Sequence, residues 1–374
     1  MKASIILGTR PEIIKMSPVV KALESGSIDY FILHTGQHYD YEMDKIFFEE
    51  LGLRPPSKNL NVGSGMHAVT TGKMIVGIEE VLIEEKPNVV LVEGDTNSVL
   101  AGALVSTKLH ISLGHVEAGL RSYDRRMPEE YNRIIADHSA DYLFAPTQNA
   151  KKNLEKEGIS NHEILYYGGV RRQKISVTGN TSVDALQQNL EKAKKTDALS
   201  KYGLSKDQYF LVTAHRAENV DEKHRLSGIL NGLVGITALY NKPIIYPIHP
   251  RTKRRIKEFN LESEVRGIRN LNLVEPTGFF DMLALEYGAK LILTDSGGIQ
   301  EEACTLKVPC VVLRDSSDRP ESIEVGAAML AGCETKKIIE TTKKMIDKER
   351  NWENPYGEGK AGEKIVEILK KEFL

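Results

Sequence analysis

The chain has 374 residues and lacks most of what would staple it, anchor it or tie it to nucleic acid. Its three cysteines, Cys304, Cys310 and Cys333, are an odd number in a long chain. That excludes a disulfide framework and fits a reducing, cytoplasmic compartment. Their spacing is not that of a zinc site, and no H-x-x-x-H pair stands beside a spare carboxylate. No apolar run approaches the ~18 residues of a membrane span, and the run within Met1–Gly8 is too short for a signal peptide. A formal charge of −2 leaves no electrostatic case for nucleic acid as a partner. There is no G-x-S-x-G nucleophile turn. Gly72-Lys73 lacks the upstream glycine and following hydroxyl of a P-loop. Gly63-Ser-Gly-Met-His-Ala68 fits a dinucleotide pattern on paper, but Leu60-Asn-Val62 is a poor strand to precede it. Neither a metal nor a nicotinamide cofactor is expected.

What remains is an ordinary globular composition, 41% hydrophobic and 27% charged. The length favours two domains. Short β-type runs over 3–7, 29–34, 88–92, 110–116, 141–145 and 174–178 alternate with helical periodicity, notably over 68–85 and 97–108. The pattern restarts with runs over 208–213, 243–248, 271–275, 290–293 and 308–313. Strand–loop–helix alternation means parallel sheets. The expected fold is α/β with two doubly wound, Rossmann-like domains: 1–178, 179–356, and a last helix in 357–374 crossing back to the first. Residues 166–174 read as a hairpin-like excursion.

Open α/β sheets bind ligands beyond the carboxyl ends of their strands, and the chemistry-bearing residues fall there. In Leu293-Thr-Asp-Ser-Gly-Gly-Ile-Gln-Glu-Glu-Ala303, a strand runs into a helix expected from Ile299. Ser296, Gly297 and Gly298 then sit at a helix N-terminus, where unpaired N–H groups attract anions and glycine admits a close approach. Glu301 and Glu302 are expected in the first helical turn, complementing the dipole or reaching a ribose hydroxyl. Arg10, Asp95 and Glu117 end strands of the first half, and Lys15 follows one turn into a helix. Asp95 reads equally as an N-cap or a site carboxylate. Pro128 opens a helix with Glu129 in its first turn, and Arg133, four residues on, lies on the same face. His215 and His249 end strands of the second half, with Arg216, Arg251 and Arg319 nearby as an anion site.

Seven stretches jointly resemble the non-hydrolysing UDP-N-acetylglucosamine 2-epimerases: Gly8-Thr-Arg-Pro-Glu-x-Ile-Lys15, Glu93-Gly-Asp-Thr96, Gly114-His-Val-Glu-Ala-Gly-Leu-Arg121, Pro128-Glu-Glu-x-Asn-Arg133, Thr213-x-His-Arg-x-Glu218, Thr294-Asp-Ser-Gly-Gly-Ile-Gln-Glu-Glu302 and Arg314-Asp-x-x-x-Arg-Pro-Glu321. The resemblance spans nearly the whole chain. It implies the GT-B fold of nucleotide-sugar glycosyltransferases, interconversion of UDP-N-acetylglucosamine and UDP-N-acetylmannosamine, and a homodimer. It also implies Ser296, Gly297 and Gly298 on the diphosphate, Glu302 on the ribose, and Arg10 and Arg319 on phosphate oxygens. Asp95, Glu117 and Glu129 become the carboxylates near the sugar, with Lys15, Arg133 and His215 completing the pocket. Residues 277–282, including Thr277 and Met282, align with the uracil-contacting loop. Bacterial members bind a second substrate molecule as activator; the glutamine they use is absent from Gly63-Ser-Gly-Met-His67, whereas Gln37-His38 is retained.

The chemistry asks for such residues. The C2 hydrogen of the sugar is not beside a carbonyl, so its direct removal has no resonance help. Anti elimination of UDP to a 1,2-glycal, followed by re-addition, avoids that barrier. It needs donors for a departing diphosphate and at least two acid/base groups for the two faces of C2. The rival readings are a GT-B glycosyltransferase using a UDP-sugar, an epimerase for a di-N-acetylated UDP-sugar, and a UDP-sugar-binding regulator without turnover.

Overall fold

A computed structural model describes residues 1–36, 41–166 and 169–374. Gln37 and His38, and part of the 166–174 excursion, lie outside the described residues. The chain divides into two compact units, Met1–Ala185 with Tyr356–Leu374, and Leu186–Pro355.

The first unit is built on strands β1 (Lys2–Leu7), β2 (Asp29–His34), β3 (Lys58–Asn59), β4 (Val89–Glu93), β5 (Ser112–Val116), β6 (Tyr142–Ala145), β7 (His162–Tyr166) and β8 (Gly169–Val177). Their spatial order is β3-β2-β1-β4-β5-β6-β8-β7. Every pairing is parallel except β7 with β8, which is antiparallel. The expected hairpin-like excursion falls on this antiparallel pair, and the remaining pairings of the sheet are parallel. β7 ends at 166 and β8 begins at 169, and two parallel neighbours need a crossover of about a dozen residues. β1 and β4 are buried on both faces, so they read as nearly unbroken apolar runs. The terminal helix Ala361–Phe373 packs on the helix Arg10–Ser25 within this unit. There Gly362 lies so close to Pro18 that a Cβ would fall 2.7 Å from its backbone.

The second unit carries β9 (Phe210–Thr213), β10 (Ile244–Pro247), β11 (Leu271–Val274), β12 (Leu291–Thr294), β13 (Cys310–Val312) and β14 (Ala328–Leu330), in the order β11-β10-β9-β12-β13-β14. All its pairings are parallel. The two hydrophobic clusters of this unit include residues from alternate positions of the same strands, such as Phe210 and Val212 in one and Leu211 in the other. Among the described residues no helix is long and apolar enough to cross a membrane.

Each sheet has one topological switch point, where the strand order reverses: between β1 and β4, and between β9 and β12. Ligands of open α/β sheets bind at the carboxyl ends of strands at such a point.

Candidate active site

At the first switch point, β1 runs into the helix Arg10–Ser25 through Thr9, with Pro11 in the first turn. The helix turns Lys15 toward the ends of β4 and β5. Its Nζ lies 2.5 Å from Glu117 Oε2 and 3.0 Å from Glu93 Oε1. Both carboxylates are buried. Glu93 is held well above the usual carboxylate range, first by burial and then by the charges of Glu117 and Glu12 acting against Lys15. Glu117 adopts a φ of 69°. A side chain larger than Asn or Asp rarely takes that left-handed conformation, which costs on the order of 1 kcal/mol.

Glu12 was not singled out from the sequence, yet Thr9-x-x-Glu12 is a capping-box spacing. Its carboxyl receives the Gly8 N–H at 3.0 Å and the Thr96 hydroxyl at 2.8 Å. Burial pushes it up to about 7 against the hydrogen bonds from Thr9, Thr96 and Gly8. Glu93 carried a weaker signal, a charge ending the apolar run Val89-Val-Leu-Val92.

Asp95 is not the N-cap of the helix Asn97–Lys108; that place belongs to Thr96, whose hydroxyl accepts from Val99. Asp95 instead pairs with Arg133. Arg133 also donates to Glu130 at 2.9 Å. Of the two first-turn acids, Glu130 is the buried one that bonds Arg133, while Glu129 is exposed. The reason lies in the preceding loop. Glu130 accepts the Ser122 and Tyr123 amides at 3.0 and 2.9 Å and the Ser122 hydroxyl at 2.8 Å, which fixes it inward. Burial tends to raise its pKa, but these bonds and Arg133 hold it below the usual range. Behind this loop His115 bridges Asp137 and the Gly94 carbonyl at 2.7 and 2.8 Å, tying the end of β4 to β5. Arg10 stands at the helix start with its guanidinium over the Phe47 ring, 5.4 Å from the centroid.

At the second switch point the helix begins at Gly297 rather than Ile299, with Ser296 as N-cap and its hydroxyl accepting from Ile299. The shift has two consequences. Gly297 and Gly298 supply amides of the first helical turn, which have no intrahelical acceptor. Glu301 and Glu302 move to the second turn, correcting the expected first-turn placement. Neither glycine is required by the fold: an added Cβ would meet nothing closer than 3.4 Å at Gly297 and 3.9 Å at Gly298, and neither φ is left-handed. Their bareness leaves a ligand room to reach the backbone.

Around this turn Arg319 is buried and bonds Glu301, with Asp318 at 3.1 Å. A Cβ on Gly297 would lie 3.7 Å from the Arg319 guanidinium carbon. His215 is part-exposed, its Nδ1 3.5 Å from the buried Asp295 and its ring 5.8 Å from that of His249. Burial, followed by the charge of His215, lowers the His249 pKa. Arg251 pairs with the Asp221 carboxylate. Glu302 is half-buried on the helix Gly297–Thr305. Thr277 keeps a buried hydroxyl oxygen without a hydrogen-bond partner among the described residues, and Met282 packs against the unit's core.

These arrangements can be set beside known proteins. A family profile described as UDP-N-acetylglucosamine 2-epimerase matches residues 21–370. The chain is 56% identical over 372 residues to a UDP-N-acetylglucosamine 2-epimerase of Methanocaldococcus jannaschii, covering 99% of both. It is 40% identical over 373 residues to a UDP-2,3-diacetamido-2,3-dideoxy-D-glucuronate 2-epimerase of Pseudomonas aeruginosa, covering 99% of this chain and 100% of that one. A crystal structure of the Methanocaldococcus jannaschii UDP-GlcNAc 2-epimerase in complex with UDP-GlcNAc and UDP is similar at a TM-score of 0.89 and 56% identity, covering 99% of this chain and 100% of that one. The fold is accordingly of the GT-B type, and the chain belongs to the UDP-N-acetylglucosamine 2-epimerase family.

Proposed function

We propose that the chain interconverts UDP-N-acetylglucosamine and UDP-N-acetylmannosamine by inverting C2, through anti elimination of UDP and re-addition to the 1,2-glycal. The observation that carries the reading is the pair of glycines at the head of the helix Gly297–Thr305, bare for no reason internal to the fold. The Ser296–Gly298 amides take the diphosphate and stabilise it as the C1–O bond breaks. Arg319 and Arg10 meet phosphate oxygens, Glu302 the ribose, and Thr277 and Met282 the base. Asp95, Glu117 and Glu129 remove and return protons at C2, with Lys15, Arg133 and His215 holding charge around them. The strained backbone of Glu117 and its pairing with Lys15 support it as one of these groups.

The family's homodimer is part of the reading. Val69, Val76 and Ile83 recur every seven residues along the helix His67–Glu85 and are 46%, 58% and 56% exposed, an apolar stripe suited to a second copy.

Proton NMR of the purified protein with UDP-N-acetylglucosamine alone tests the reaction: the N-acetylmannosamine anomeric signal grows to equilibrium without added metal or nucleotide. The similarity to the Pseudomonas aeruginosa enzyme supports a second reading, a di-N-acetylated UDP-uronic acid as substrate. Turnover of that sugar with UDP-N-acetylglucosamine left unchanged would favour it.

A further inference from the structure

The second unit buries a carboxyl group that the reaction does not use. Glu286, on the helix Phe279–Gly288, is 1% exposed and makes a side-chain hydrogen bond with Glu302 on the neighbouring helix Gly297–Thr305. Two carboxylates cannot hydrogen-bond each other without a proton, because each offers only acceptors. The surroundings decide which one carries it. Glu286 is faced by Glu302, by Tyr209 and by Cys310, and no cation acts on it among the described residues. Tyr209 directs its hydroxyl to the Leu285 carbonyl instead. The Oε2 of Glu286 is buried with no donor against it, a setting that suits a neutral acid and penalises an anion. Burial first, and the Glu302 charge second, accordingly raise Glu286 well above the usual carboxylate range. Glu302 is the less buried partner, so burial drives the proton to Glu286.

We propose that Glu286 is a positioning residue for nucleotide binding: as a neutral acid it donates a hydrogen bond to Glu302 and holds that carboxylate charged and oriented to accept from the ribose hydroxyls. The inference rests on the reading above in which Glu302 meets the ribose. A carboxyl donor in an apolar setting fixes the rotamer of its acceptor with a charge-assisted bond. An ordinary ion pair there would neutralise the charge that the ribose is to meet. The pair also links the nucleotide site to the core beneath β9 and β12, where Tyr209, Leu285 and Ala303 pack.

Two variants of the full chain separate positioning from bulk. Glu286→Gln keeps a donor for Glu302, whereas Glu286→Leu keeps only the volume in an apolar pocket. Calorimetry with UDP at neutral pH is expected to give Glu286→Gln an affinity within about twofold of the parent, and Glu286→Leu one about tenfold weaker. The infrared difference spectrum of parent minus Glu286→Gln is expected to show the C=O stretch of a protonated carboxyl. Parent-like affinity in Glu286→Leu, or a difference spectrum with only carboxylate bands, overturns the proposal. UDP and 2′-deoxy-UDP binding equally to the parent would remove Glu302 from the ribose; the infrared band would then still report whether Glu286 is the neutral partner.

Discussion

Asp295 receives the backbone N–H groups of His215 and Arg216 on one carboxylate oxygen, at 3.0 and 2.9 Å. The same oxygen takes the Asn219 side-chain amide at 3.1 Å, and the residue is wholly buried. The loop leaving β9 is thus locked to the turn leaving β12, with His215 held against Asp295. Asp295→Ala removes the acceptor of two part-buried backbone N–H groups and leaves the buried Asn219 amide only its bond to the Leu313 carbonyl. Unfolding by denaturant is expected to show a loss of about 3 kcal/mol, with weaker UDP binding. Parent-like stability would mean the lock is dispensable.

Gly297 offers a separation of fold from binding. A Cβ there meets Asp318 Oδ1 at 3.4 Å, ordinary contact. Gly297→Ala is therefore expected to melt within a few degrees of the parent yet lose at least tenfold in UDP affinity by calorimetry, roughly 1.4 kcal/mol. Gly297→Val, with a larger side chain, should lose more. Unchanged UDP affinity in both rules out the turn as the diphosphate site.

Glu12 predicts a pH signature of stability. Its folded pKa of about 7 lies above the ordinary 4.5, so folding favours the protonated form. The associated stability is complete below the unfolded value and is lost as pH rises through the folded one. Against Glu12→Gln, which cannot ionise, the parent should fall behind by on the order of 3 kcal/mol between mildly acid and alkaline pH. Parallel stability–pH curves for the two proteins would contradict a raised Glu12.

The proposed chemistry has an isotopic consequence. Turnover in D2O should place deuterium at C2 of the product, since a proton passed to a carboxylate exchanges with solvent. Glu117→Gln should slow C2 proton release by roughly 10²–10⁴ if it assists as acid or base, and by more if it is the base itself. Product whose C2 hydrogen is retained after many turnovers would sink the elimination route.

The apolar stripe predicts the assembly. Val76→Glu with Ile83→Glu should convert a dimer to a monomer in analytical ultracentrifugation while the far-UV circular dichroism of the fold is kept, because both positions are exposed in the single chain. A parent that sediments as a monomer would remove the dimer from the reading.

How far the sequence reached is visible in particular residues. The alternation of apolar runs and helical periodicity is local, and it sufficed for two doubly wound sheets, since a strand buried on both faces must be apolar whatever it packs against. The Ser296-Gly-Gly298 turn was legible for the same reason: glycine and an N-cap hydroxyl have meaning within a few residues. Pairings across the chain were not. That Lys15 faces Glu93 as well as Glu117, that Arg133 bonds Asp95 and Glu130, and that Glu286 shares a proton with Glu302 each depend on where side chains from separate strands and helices meet, and on the water excluded there. Charge placement in a buried cluster follows from desolvation and distance, quantities that exist only once the chain has folded.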